Sequence, residues 1–229
     1  MNSLDKNILT LALLATAALL LPFLIKDSYI FQAKTLAASV ETINLDEPLS
    51  TVNIDLMEAL ILRKSTREFS NYRITPKELA TILWAANGIN RKDGRRTAPS
   101  AYGKYFVEIY VASDQGVYLY EPVKHRLRVV SGENIKSKVA GQKLVSAASH
   151  ILIITANLNE FPFFVKNNER IACAQATAAC IGENVYLTTG ALKLGTCLMS
   201  SIDKKFIQEN LKLKENQLPL FIMPIGLPK

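Results

Sequence analysis

Along this chain the spacing of apolar positions changes three times, and each change predicts a different kind of element. Residues 8–25, ILTLALLATAALLLPFLI, are free of charge throughout. Coiled as a helix, such a run would span about 27 Å at ~1.5 Å per residue, close to the hydrocarbon thickness of a bilayer. It predicts an N-terminal hydrophobic helix within residues 1–27, a single transmembrane anchor, with a tether over 28–49. Export after signal cleavage is the alternative. The start offers only Lys6 beside Asp5, and Phe31-Gln32-Ala33 puts a bulky residue where cleavage needs a small one. The flanking charges do not fix which side the remainder would face.

From Asp55 the period becomes helical, with Leu56, Ala59, Leu60 and Ile61 on a short amphipathic helix that runs into RKSTREF, residues 63–69. Thr75-Pro76-Lys77-Glu78 reads as a cap, a first-turn proline and a capping-box glutamate, opening a helix that stops at Gly88. The loop 90–103 is polar and basic. The period then falls to two over 105–113 and 116–131, a strand and a hairpin turning near Pro122 and Lys124. Helical segments follow around 133–148. HILIITANL, 150–158, is a continuous β-branched run suited to a central strand buried on both faces.

Glu169 to Leu194 is the longest helical stretch. Ala172, Ala176, Ala179 and Gly182 recur on it at helical spacing, a stripe that lets another helix approach closely, within the chain or from a second copy. Asp203 caps a helix reaching about Leu211, and LPLFIMPIGLP closes the chain as a strand. Hairpin strands and irregular alternation predict an α+β fold rather than a doubly wound sheet.

Charge narrows the partners. Of 27 basic and 20 acidic residues, 24 and 15 lie beyond residue 49, so the folded part is basic and suits an anionic ligand. No basic run interleaved with aromatics occurs, which argues against nucleic acid. Cys173, Cys180 and Cys197 form no CxxC pair and only His125 and His150 are present, so no metal site is expected. Cys173 and Cys180 read as small core residues. Phosphate-loop, hydrolase and zinc-protease signatures are absent, and no side chain stands out as a nucleophile or general base. An enzyme built this way would leave the chemistry to a cofactor, with no catalytic side chain of its own.

Four pieces, in this order, resemble the nitroreductase family of FMN-dependent oxidoreductases. They are Arg-x-Ser-x-Arg at 63–67, ILWAANGINRKDGRRTAPSA at 82–101, the small-residue helix ending in ALKLGTC, and the terminal LPxxxxPxGxP. The resemblance covers roughly residues 55–229, and the second piece is especially similar to the branch holding the azoline dehydrogenases. It implies a nitroreductase-like domain over 50–229, with a mostly antiparallel sheet flanked by helices, in an intertwined homodimer. It implies FMN held by Arg63, Lys64, Ser65 and Arg67, by Cys197, Leu198 and Met199, and by Pro99, Ser100 and Ala101 reaching the flavin of the other subunit. It implies NAD(P)H as reductant and a small electron-poor or conjugated substrate. An azoline dehydrogenase acting on a modified peptide, or a membrane-tethered flavin-binding module without turnover, are the alternatives.

The residue chemistry agrees. The FMN phosphate carries a charge of about −2, a guanidinium can fork onto it, and a serine hydroxyl can donate beside it. A second guanidinium near the pyrimidine edge would favour reduced flavin. Two departures stand out. Tyr102-Gly103-Lys104 replaces an asparagine common in relatives, and the C-terminal basic pair is reduced to Lys229, with Arg95 and Arg96 as substitutes. Tyr105 reads equally as a substrate-stacking ring or a packed strand residue.

Overall fold

The capping signals are realised as hydrogen bonds. A computed structural model describes residues 41–139 and 147–229. In it the backbone N–H of Glu78 donates to Thr75 Oγ1 at 3.2 Å, and Glu78 Oε2 accepts the Thr75 N–H at 2.6 Å. This reciprocal box starts helix α2, Pro76–Asn87, just as Asp55 starts α1, Leu56–Leu62. The long helix α3 is Asn167–Ala191, and Asp203 caps α4, Lys204–Asn210.

Seven strands make one sheet: β1 (Thr42–Asn44), β2 (Val107–Ser113), β3 (Gly116–Glu121), β4 (Arg126–Ser131), β5 (His150–Asn157), β6 (Gly195–Thr196) and β7 (Gln217–Gly226). Their order is β1-β4-β3-β2-β5-β7-β6, and every neighbouring pair is antiparallel. The fold is therefore α+β, an antiparallel sheet flanked by helices. Central β5 explains its unbroken apolar sequence. Leu152 and Ile154 pack into one core layer with Ile82, Leu83, Ile181 and Val185, whereas Ile151 and Ile153 pack into the other with Tyr110, Ile207 and Ile222. Each such fully buried side chain contributes roughly 1.5–3 kcal/mol. β7 contains Pro219 and Pro224; among the described residues its outer side is met at Ile222 by Met199 and at Ile225 and Gly226 by β6, a partly paired edge of the kind that tolerates proline.

Several expectations change. Residues 42–49, read as tether, join the fold: β1 pairs with β4 and the Leu49 N–H donates to Thr81 Oγ1 at 3.0 Å. Around 133–148 the described part is turn, and 140–146 lie outside the described residues. Ala172, Ala176 and Ala179 are exposed on α3, and of that stripe only Gly182 is buried, beneath Leu198. Cys180 is exposed, not a core residue. Among the described residues no helix is long and apolar enough to cross a membrane. The run 8–25 lies outside them; no described helix carries the expected transmembrane helix, anchor or membrane partner, and these expectations are withdrawn together with the exported alternative.

Candidate functional site

RKSTREF leaves α1 as an extended strand-like segment. Arg63 caps the helix through its N–H to the Ala59 carbonyl at 3.1 Å, and Ser65 then bridges Thr196 of β6 in parallel, with the Thr66 N–H donating to the Thr196 carbonyl at 2.8 Å. In extended backbone, positions 63, 65 and 67 share one face and 64 and 66 the other. Two guanidinium groups and a hydroxyl thus stand in a row. The C-terminus runs alongside, with Phe69 bridging Pro228 and the Lys229 N–H donating to the Glu68 carbonyl at 3.2 Å. Lys229 is therefore pinned by its backbone beside the basic segment.

The segment lies close against β6 because Gly195 has no side chain. A Cβ there would sit 2.6 Å from Thr66 Cβ. Thr66 is correspondingly buried, and with Lys64 it turns into a cleft of about 210 Å³ lined also by Tyr186, Gly190, Lys193 and Pro228. Among the described residues no carboxylate lies within ion-pairing distance of Arg63, Lys64, Arg67, Lys193 or Lys229. Five cations in one region without a paired anion make a strongly positive surface.

Tyr186, which the sequence reading passed over, joins the two predicted segments. Its hydroxyl accepts the Leu198 N–H at 2.8 Å and lies 3.0 Å from Ser65 Oγ, while the Arg63 guanidinium stands over its ring at 5.3 Å. A helical tyrosine one turn before Thr189 and Gly190 carries no signal of its own, since a period count assigns it to the core. Its role follows only from the meeting of α3 with both segments.

The Cys197–Met199 piece reaches this place by its backbone. Cys197 and Met199 are buried in the core layer beneath the sheet, and the Met199 N–H donates to the Ile222 carbonyl at 2.9 Å. Leu198 lies between them, packed over Gly182. Arg63, Lys64, Ser65, Arg67 and Cys197–Met199 are thus brought together.

Pro99, Ser100 and Ala101 are not. The next residue, Tyr102, donates to Glu169 Oε1 at 2.5 Å at the start of α3. Tyr186 lies seventeen residues further along the same helix, about 25 Å away at ~1.5 Å per residue. Arg95 pairs with Asp93 at 3.3 Å, and Arg96 lies over Tyr105 at 4.1 Å, so within the chain both are engaged elsewhere than at the RKSTREF cluster. The described chain assembles the cluster from its own residues and supplies no contact that supports the expected homodimer or its intertwining; that expectation is not carried further.

A cluster of cations, unpaired among the described residues, beside a tyrosine-held serine on an α+β sheet suits an anionic ligand. Residues 61–227 match the Nitroreductase family. A protein provisionally named a nitroreductase in Methanocaldococcus jannaschii is 34% identical over 183 residues, 76% of this chain and 91% of the relative. A crystal structure from Ralstonia eutropha JMP134, also provisionally named a nitroreductase, superimposes with a TM-score of 0.78 at 34% identity, over 84% of this chain and 92% of that one. A chain of the Escherichia coli microcin synthetase complex, with truncated pro-MccB17 bound, shares the fold at a TM-score of 0.65 and 14% identity, over 85% of this chain and 80% of that one. The chain belongs to the nitroreductase family and is a flavin-dependent oxidoreductase acting on a small molecule.

Proposed function

We propose that the Arg63–Ser65–Arg67 face grips FMN and that the backbone of Cys197–Met199 lines the same site. The observation that carries this reading is the Tyr186 hydroxyl, bonded at once to the Leu198 N–H and to Ser65 Oγ. It fixes two segments far apart in sequence at one place, which a merely solvated helix end would not need. The residues fit the group: Arg63 and Arg67 have no carboxylate among the described residues to neutralise them, and Ser65 can donate to a phosphate or ribityl oxygen. The cleft of about 210 Å³ on the Lys64 side is smaller than the ~300–1,000 Å³ of common ligand pockets, so the nucleotide would extend beyond it.

FMN, when bound, supplies hydride transfer between reductant and substrate. The protein's part is binding and tuning. Arg63, held over the Tyr186 ring, keeps its fork oriented for an anion. Arg67 places positive charge where it stabilises electron-rich flavin, which raises the reduction potential. Lys64 and Lys193 add attraction from the cleft side. NAD(P)H is the proposed reductant and a small electron-poor or conjugated molecule the substrate. The proposed catalytic unit is residues 50–229, extended at its front by β1.

The test is an absorbance spectrum of the purified protein before and after anaerobic NADH or NADPH. Flavin bands that bleach with either reductant support the reading, and a colourless protein that takes up no FMN contradicts it. A second reading, azoline dehydrogenase activity on a modified peptide, is favoured by the 82–101 piece and by fold likeness to a microcin synthetase chain. Flavin reduction by a thiazoline-containing peptide but by neither nicotinamide nucleotide would select it.

A further inference from the structure

The β2–β3 ladder ends early. It pairs Tyr110 with Leu119 and then three further positions toward the turn, ending at Ser113 and Gly116. Both strands continue the other way. β2 runs back to Val107, where it pairs with Ala156 of β5, and β3 runs on to Glu121, where it pairs with Arg126 of β4. Two strands are thus each held by their outer neighbour and parted from one another, leaving facing backbone without a ladder partner; the Val107 carbonyl instead accepts the Asn87 Nδ2–H at 3.5 Å. Backbone donors and acceptors inside a sheet are otherwise almost always paired.

The space between them is a cavity of about 450 Å³, within the range of small-molecule sites. Its walls combine apolar residues, among them Val107, Ile109, Leu119 and Val123, with the rings of Tyr105 and Tyr120. Arg96 reaches it from the 90–103 loop with its guanidinium over the Tyr105 ring, 4.1 Å from the ring centroid. That stacking covers one face of the guanidinium and leaves its N–H edges for another partner. Among the described residues none of its N–H groups donates a hydrogen bond, and no carboxylate lies within 4.0 Å. Burial lowers its pKa from the ordinary arginine value, the mark of a cation with its charge poorly compensated.

The acids on the wall do not serve it. Glu121 is held by Arg126 at 2.6 Å and Arg128 at 3.1 Å. Glu108 receives the Gln217 Nε2–H at 3.3 Å and lies on the strand face of Tyr110, opposite that of Val107 and Ile109. Lys124 adds a further cation that has no ion-pair partner among the described residues.

We propose that this parted ladder is a second ligand site, specific for a small molecule with an apolar body and a single carboxylate or phosphate, which Arg96 anchors. It is separate from the flavin cluster. β7 runs from Gln217, at the Val107 end of the sheet, to Gly226 beside β6, so the two lie on the order of 30 Å apart at ~3.3 Å per residue. Nothing in the proposal depends on flavin being bound.

The test is calorimetric titration of the purified full-length chain with sodium benzoate and, separately, phenyl phosphate, at ionic strength held constant with chloride. Saturable binding of either probe is expected, and the tighter of the two assigns the anion. Arg96→Gln should weaken it at least tenfold. Val123→Trp, at a turn position that is 75% exposed and so tolerant of substitution, should block the cavity and weaken binding without unfolding the chain. FMN content should be the same in all three proteins. Failure of both probes to saturate would overturn the proposal. So would unchanged affinity in either variant.

Discussion

At the scale of single residues, Tyr186 decides most. Replacing it with Phe keeps the ring beneath Arg63 and removes only the hydroxyl, which leaves the Leu198 N–H and Ser65 Oγ without that partner. The expected loss is about 1 kcal/mol of stability, the cost of losing a part-buried hydrogen bond, measured by urea unfolding. FMN should bind more weakly to the same variant. Gly195→Ala tests the packing that brings RKSTREF to β6. The added Cβ meets the Thr66 side chain at 2.6 Å, and crowding of that kind costs typically 1–3 kcal/mol. Trimming the obstacle should relieve it, so Gly195→Ala with Thr66→Gly is expected to recover part of the loss; no recovery would mean the strain lies elsewhere.

Elements were the most legible level. The capping box, the hairpin turn at Pro122–His125 and the doubly buried β5 could all be read because each rests on local chemistry or on a period. The site was legible only in part. Arg63, Ser65 and Arg67 announce themselves as a basic, hydroxyl-bearing run, whereas Tyr186 is hidden inside a helix whose period marks it as core. Within the chain Pro99–Ala101 lie at the far end of α3 from the cluster, beside the Tyr102–Glu169 contact, because sequence order says nothing about which end of a helix a loop meets. The 42–49 segment was read as tether because three residues of edge strand are too short to show alternation.

An element-scale consequence concerns acid. His150, at the start of β5, is pushed down to about 4, first by burial and then by the nearby Lys136 and Arg73, with Asp114 opposing them. The unfolded chain would take up a proton near the ordinary histidine value of ~6.5 while the native chain stays neutral, so stability falls as pH drops from about 6.5 toward 4. The size is on the order of 3 kcal/mol. Asp114 acts further down. Hydrogen-bonded to Lys136, its pKa lies below the usual carboxylate range, and its contribution disappears as pH falls through that lowered value. Denaturation followed by circular dichroism from pH 7 to 4 should show the first loss, and His150→Leu should flatten it.

For the whole molecule, binding and stability are one quantity. Ligand that binds only the native state adds about 2.7 kcal/mol at a hundredfold excess over its dissociation constant. Apo-protein should therefore melt at a lower temperature than protein saturated with FMN, with the gap growing with FMN concentration. The proposed cofactor cluster lies at the β6–β7 end of the sheet and the proposed second site at the Val107 end, so the apo-to-FMN difference in melting temperature should survive in Arg96→Gln.

The most direct test removes the two guanidinium groups. In Arg63→Ala/Arg67→Ala the exposed side chains go while Ser65, Tyr186 and the core stay in place, so the fold should be retained. FMN affinity, measured by quenching of free flavin fluorescence on titration with protein, should fall by a hundredfold or more, as expected when two charge-assisted contacts of about 1.5–3 kcal/mol each are lost. Affinity equal to that of the unaltered protein, in a variant that folds normally, would contradict the assignment of this cluster to flavin.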